Sequence, residues 1–263
     1  MLKDITLGQY FPGETFVHRL DPRTKLLMTM VYIGVLLMAQ RFLSLGIMGL
    51  FLALVVSNAQ IKPKVLLKGL RPLLYILTFT ALINVFFTPG EEIFRLWRIA
   101  ATWEGVYRGI LLILRIGLMV MGTFIMTYTT SPIAFTDGLE SLLGPLNKIR
   151  VPVHELAMIM SMALRFVPTL IEETGKIMNA QKARGADFES GNIFRRAKAL
   201  IPILVPLFVS AFRRADELAA AMESRCYHGG EGRTRMRKLE FAKGDVFVGI
   251  IAIGLIALIW YLG

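Results

Sequence analysis

Apolar residues run through this chain in long blocks, and the length of each block is what it first offers to a reader. A helix needs about 20 predominantly apolar residues to cross a bilayer, within a range of about 17 to 25. Gly109–Thr130 and Val246–Leu262 meet that length, and Leu73–Thr88 falls slightly short of it. Leu26–Val56 is nearly continuous and too long for one crossing. Arg41 divides it into two helices of about 15 residues each, forming a tight hairpin or a tilted pair. The pattern therefore predicts five membrane helices.

Lysine and arginine then set the expected orientation, because cytoplasmic loops carry the excess of positive charge. Lys3, Arg19, Arg23 and Lys25 precede the first block, and Lys62, Lys64, Lys68 and Arg71 follow the second with no acid among them. With both segments in the cytoplasm, Arg41 is the one charge of the first outer loop. The second outer loop, Pro89–Arg108, mixes Arg95, Arg98 and Arg108 with Glu91, Glu92 and Glu104. Ser131–Gly244 returns to the cytoplasm with 17 basic residues, and the C-terminus ends outside. The opening MLKDITLGQYFPGETFVHRLDPRTK is polar and lacks the apolar core of a cleaved signal peptide, so the first membrane helix is expected to direct insertion into the cell membrane.

Residues 131–244 break the rhythm. Leu156–Ile171 contains Arg165 and Pro168, and Ala199–Phe212 contains Pro202 and Pro206. The second run, 14 residues, makes about 21 Å of helix against a hydrocarbon core of about 30 Å. If both runs spanned, Lys176, Lys182, Arg184, Arg195, Arg196 and Lys198 would lie outside, against the charge bias. They read instead as long helices in or below the inner face. Asp137-Gly-Leu-Glu140 resembles a capping box opening a short helix that Gly144-Pro145 bends or ends. A second helix runs from about His154 to Arg184 with a kink or junction at Pro168, and Glu172 and Lys176 form an i,i+4 pair on it. A third runs from about Ile193 to Arg225, and Gly185 and Gly229-Gly230 are the stop signals. The expected organisation is 1–130 for the N-terminal membrane helices, 131–244 for the cytoplasmic or interfacial helices and 245–263 for the last membrane helix, an all-α membrane protein throughout.

Composition agrees: 55% of residues are hydrophobic and mean hydropathy is +0.58. The net charge of +11 would point to nucleic acid in a soluble chain, but the basic residues cluster at the ends of apolar blocks and no aromatic-interleaved basic patch occurs. The single cysteine, Cys226, excludes an intrachain disulfide and a cysteine-based metal site. No P-loop pattern occurs, so ATP is not expected to bind this chain, and Gly229-Gly-Glu-Gly-Arg-Thr234 reads as a flexible basic loop. His18, His154 and His228 show no ligand spacing, and no Ser, Cys or Thr has a base at motif distance. His154-Glu155 is either a proton relay or a helix start near the membrane surface. Arg115 either snorkels to the interface or contacts another membrane subunit. It is nearly the only interior charge, which disfavours a self-sufficient secondary carrier, and no convergent acid, base or nucleophile supports a membrane enzyme.

Two arginines remain. Arg184 lies between Ala183 and Gly185, and Arg225, forty-one residues on, lies between Ser224 and Cys226, each at the predicted end of a helix. An arginine in the last turn complements the helix dipole and caps free carbonyls. Flanked by small residues, it also suits docking onto carboxylates or carbonyls in a partner's groove. Spacing alone leaves both readings open.

FPGETFVHRLDPRTKLL (11–27), ALRFVPTLIEETGKIMNAQKARGADF (163–188) and AMESRCYHGGEGRTRMRKL (221–239) resemble, in order and over nearly the whole chain, the transmembrane T component of energy-coupling factor (ECF) ABC-type transporters. The resemblance implies a non-enzymatic subunit with cytoplasmic coupling helices. It implies two ABC-type ATPase subunits as partners, which bind the ATP, and a small substrate-binding membrane subunit, the S component, for uptake of vitamins or other micronutrients. The family's X-Arg-X motifs, often Ala-Arg-Gly, end two coupling helices and sit in grooves of the ATPases. They match Ala183-Arg184-Gly185 and Ser224-Arg225-Cys226, the second departing from Ala-Arg-Gly at both flanks. Closure of the ATPases would move the helices and reorient the S component. Apolar positions Met158, Met160 and Met162, with Leu204, Leu207 and Phe208, suit either a sliding contact with that subunit or internal packing. A dedicated cobalt or nickel uptake system is the alternative within the same design.

Overall fold

The computed structural model describes residues 10–96, 99–188, 192–229 and 239–262. It is helical apart from one small hairpin in the connection that the sequence places outside. In chain order the helices are α1 (Phe16–Arg19), α2 (Pro22–Met38), α3 (Phe42–Ala59), α4 (Pro63–Phe87), α5 (Trp103–Thr129), α6 (Pro132–Leu143), α7 (Val153–Ala183), α8 (Ile193–Ser224) and α9 (Lys243–Leu262). Strands β1 (Glu92–Leu96) and β2 (Ile99–Thr102) pair antiparallel between α4 and α5, and a 3₁₀ turn, Gly144–Ile149, follows α6.

Local chemistry explains several helix starts. Proline opens α2, α4 and α6, where its missing N–H costs nothing. Asp21 accepts from the Arg23 N–H at 2.8 Å, and Thr102 Oγ1 accepts from the Gly105 N–H at 3.2 Å. Ser131 Oγ accepts from the Ala134 N–H at 3.2 Å, so α6 begins at Pro132. The expected capping box at Asp137–Glu140 is corrected by this: both acids lie inside a helix that Ser131-Pro132 has already opened. The predicted end at Gly144-Pro145 stands, since α6 stops at Leu143.

Among the described residues, five helices are long and apolar enough to cross a membrane: α3, α4, α5, α7 and α9. The chain is a multi-pass helical membrane protein. The membership of that set differs from the sequence expectation at two helices. With 17 residues, α2 is shorter than any of the five, and its first turn carries Arg23 and Lys25. Conversely, α7 qualifies with a mean hydropathy of 1.2, the lowest of the five, because Val153–Leu170 carries only Glu155 and Arg165 as formal charges.

Contacts divide the described residues into two compact units, 10–139 with 239–262 and 140–229. In the first, α4 and α5 pack so closely that a Cβ at Gly105 would lie 2.6 Å from the Asn84 carbonyl oxygen, and one at Gly109 would lie 3.2 Å from that of Ala81. Small residues four apart are a standard means for membrane helices to approach. The 11–27 segment binds the same unit at one end. Phe11 N–H donates to the Tyr128 carbonyl at 2.9 Å, and the two rings meet edge to face at 5.3 Å. His18 closes a local turn between the Thr15 hydroxyl and the Phe11 carbonyl. Buried Lys25 donates from Nζ to the carbonyls of His18 and Thr129, both at 2.9 Å, thereby capping α1 and α5 together. Asp245 at the start of α9 accepts from the N–H of Asp21 at 3.0 Å and of Ala242 at 2.7 Å. Arg115 donates to the Ala39 carbonyl at the end of α2. The guanidinium therefore serves an internal helix end, a role neither expectation for it had named.

In the second unit His154 Nδ1 meets Glu140 Oε1 at 2.9 Å, so its acid partner is Glu140 and not the adjacent Glu155. Helix α7 continues through Pro168, and α8 through Pro202 and Pro206. Arg214 of α8 donates to Glu173 Oε2 at 2.8 Å and to Thr169 Oγ1 at 3.2 Å on α7. No ion pair joins Glu172 to Lys176 among the described residues; the charged contact of this turn runs between helices instead. Of the basic loop expected at 229–234, only Gly229 is among the described residues.

Candidate functional site

The two motif arginines end α7 and α8 in the same way. After Ala183, Arg184 leaves the helix and Gly185 turns into the left-handed region with φ +88°. The Gly185 N–H donates to the Lys182 carbonyl at 2.9 Å, and the Ala186 N–H reaches back to Gln181 at 3.0 Å. After Ser224, Arg225 leaves α8 and Cys226 turns with φ +56°. The Cys226 N–H donates to the Glu223 carbonyl at 2.9 Å, and the Tyr227 N–H reaches back to Met222 at 3.0 Å. This is the paired 6→1 and 5→2 C-cap, in which backbone N–H groups occupy the last free carbonyls.

Two consequences follow for the motif. The third position must adopt positive φ, which glycine does freely and cysteine only with strain, so a backbone constraint acts there in addition to any need for a small residue. The stop signal expected at Gly229-Gly230 is corrected: α8 ends at Ser224, and the left-handed turn after it is made by Cys226, three residues before Gly229. Second, backbone N–H groups already hold the carbonyls of Gln181 and Lys182 on α7 and of Met222 and Glu223 on α8, which an arginine cap could otherwise serve. All six motif residues, Ala183, Arg184, Gly185, Ser224, Arg225 and Cys226, are exposed, and neither guanidinium has a hydrogen bond or ion pair among the described residues. Each helix end thus presents an exposed planar cation with five donors.

One relevant pair was missed by sequence reasoning. Arg214 and Glu173 are separated by the same forty-one residues as the two motif arginines, and each motif arginine lies 11 residues beyond its member of the pair. Long polar side chains at matching offsets on two helices were the available signal. Beyond the pair neither helix contains proline, so both segments run unbroken to their arginines.

The residues expected at an S-component contact fall into two groups. Met158 and Met162, one turn apart on α7, are half-buried, whereas Met160 is exposed on another side of the helix. On α8, Leu204 and Phe208 are 48% and 62% exposed, with Leu207 half-buried beside them. Ile201, Val205, Val209 and Phe212 extend the same exposed apolar band, and Ile203 is the only residue of α8 buried among those described. A band of this length signals membrane or another protein. Among the described residues, no group of three or more His, Cys, Asp or Glu is placed to hold a metal ion.

Compared with known families, residues 13–236 match the family model CbiQ, described as a cobalt transport protein. The chain is similar to the energy-coupling factor transporter transmembrane protein EcfT of Acidaminococcus fermentans, 51% identical over 262 residues, covering 100% of this chain and 98% of the relative. It is 47% identical over 263 residues to the protein of that name from Bacillus subtilis, covering 100% and 99% of the two chains. With the one from Lactococcus lactis it shares 42% identity over 262 residues, covering 98% of each.

Proposed function

The chain belongs to the CbiQ/EcfT family of transporter transmembrane proteins, and from that premise we propose that it is the coupling subunit of an ECF-type importer in the cell membrane. In this reading two cytoplasmic ABC-type ATPases bind and hydrolyse ATP, and each receives one helix end: one takes Arg184, the other Arg225. The observation that carries the reading is the pair of matching C-caps, which leave both guanidinium groups exposed and without a hydrogen bond or ion pair among the described residues. The mechanism is mechanical. Closure of the ATPase pair displaces the ends of α7 and α8, and the helices carry that displacement toward the apolar band around Leu204 and Phe208. A small substrate-binding S component seated on this band is thereby reoriented in the bilayer. The N-terminal segment would face the cytoplasm, in keeping with its basic residues. The cargo would be a vitamin or other micronutrient.

Co-purification tests this directly. Arg184→Glu with Arg225→Glu should leave the protein inserted and monodisperse while detaching both ATPases. If the double variant still co-purifies with the ATPases and supports uptake, the docking assignment is wrong. The family's description as a cobalt transport protein favours a second reading, a dedicated cobalt or nickel system built on the same coupling. The membrane partner that co-purifies with the wild-type chain distinguishes the two by its bound substrate.

A further inference from the structure

Within the membrane unit a cavity of about 570 Å³ lies between α2, α3, α5 and α9, with α1 beneath it. Its lining changes character along its length. Lys25 and Thr29 on α2, Asn58 on α3 and Thr129 on α5 stand at one end, over the apolar side chains of Phe16, Val17 and Leu20. The ring of Tyr32, with Phe51, Leu52 and Gly122, lines the other. On each of α2, α3 and α5 the polar and apolar positions are seven residues apart, from 25 to 32, from 58 to 51 and from 129 to 122, so the graded part is about 10 Å long. Leu54 and Phe247 on its lining are 56% and 59% exposed, which opens the cavity sideways on the surface of the helices.

We propose that this cavity is a binding site for one acyl chain of a membrane phospholipid. The glycerol and headgroup lie at the Lys25–Asn58 end and the chain runs toward Tyr32 and Gly122. Three observations select this occupant. The polar-to-apolar gradient follows the helices, as a lipid's own polarity follows the bilayer normal. Water is a poor occupant because beyond Thr29 the lining offers it the Tyr32 hydroxyl and no other polar side chain, and a buried water needs two to four polar partners. At the polar end Lys62 and Lys64, both exposed at the α3–α4 connection, favour an anionic headgroup. The proposal rests on the membrane embedding alone and is independent of the ATPase docking.

The test uses the full chain in nanodiscs containing phosphatidylglycerol with a photoactivatable diazirine in mid-chain. After illumination, peptides covering Met28–Tyr32 and Gly122–Met126 should carry several-fold more adduct than the outward-facing α4 peptide around Tyr75–Phe79. Excess unlabelled phosphatidylglycerol should reduce the cavity adducts at least fivefold. Val55→Trp or Met126→Trp, each filling the cavity from a different wall, should abolish cavity labelling and leave the α4 adducts unchanged. Two variants are used so that one may fail to fold. Equal labelling of cavity and α4 peptides, meaning annular lipid only, overturns the proposal. So does cavity labelling that survives both fillings, or that disappears when the chain is assembled with its native membrane partner, which would assign the space to that partner.

Discussion

Removing the Arg214–Glu173 pair should loosen the spacing of the two motif arginines without unfolding the helices. The two side chains are 34% and 26% exposed and meet at 2.8 Å. Fully exposed pairs contribute about 0.2–1 kcal/mol and hydrogen bonds to charged groups about 1.5–3 kcal/mol, so a pair at this depth should couple by about 1 kcal/mol. The spacing itself can be worked from the chain. From Glu173 to the end of α7 is about 15 Å, and from the start of α8 to Arg214 about 31 Å, at 1.5 Å per residue. The connection from Ala183 to Ile193 spans at most about 35 Å. Taken as straight rods, the helices therefore cross at Arg214 at about a right angle or wider. Arms of about 16 Å beyond the crossing then hold Arg184 and Arg225 at least about 23 Å apart. Spin labels on cysteines at 183 and 224, in a Cys226→Ser background, measure that distance by pulsed electron resonance in nanodiscs. The wild type should give one narrow population at or beyond about 23 Å, Arg214→Met a clearly broader one, and the swap Arg214→Glu with Glu173→Arg a partial return. A distribution that is unchanged by Arg214→Met, or centred well below 20 Å on the scale of that helix geometry, would refute the reasoning.

Three further outcomes follow from the helix ends and the 11–27 segment. Cys226→Gly should raise stability by about 1 kcal/mol by relieving a left-handed cysteine, while Gly185→Ala should lower it by about 1–2 kcal/mol; thermal unfolding followed by size-exclusion fluorescence reads both. Lys25→Met leaves the carbonyls of His18 and Thr129 without their donor and should cost about 2–4 kcal/mol, seen as a fall in Tm in the same assay. Partial burial lowers the pKa of His18, chiefly by desolvation, with the Lys25 charge acting in the same direction and the Phe11 carbonyl opposing. The folded state thus binds fewer protons than the unfolded one just below the ordinary histidine range near 6.5. Stability from this group is present above that range and lost as pH falls through it, so His18→Gln should flatten the acid side of a Tm–pH profile.

Apolar blocks and prolines made most of the helices legible in advance: the hairpin divided at Arg41, the long helices 153–183 and 193–224, and the membrane class itself. What misled was chemistry that depends on a neighbour. Asp137–Glu140 has the residues of a capping box, yet Ser131-Pro132 starts the helix earlier, and a stronger cap upstream silences a weaker one. Arg115 looked like an interfacial side chain because nothing in its own sequence window announces that the end of α2 will lie beside it. The Gly229-Gly230 stop was overridden by Cys226, a residue that local propensity does not mark as left-handed. The candidate site was legible as two arginines with small flanks. Its matching backbone caps and the Arg214–Glu173 pair depend on hydrogen bonds between groups that single-sequence patterns do not connect.

The central claim is that Arg184 and Arg225 each meet an ATPase. Placing a photocrosslinking benzoylphenylalanine at each position in turn, in the complex purified with its native partners, tests it most directly. The account predicts that each position crosslinks to an ATPase subunit, with both positions yielding a single species bearing two, and that a control at exposed Phe194 on the other end of α8 does not. Crosslinks from 184 and 225 only to lipid, to the membrane partner or within the chain itself would contradict it.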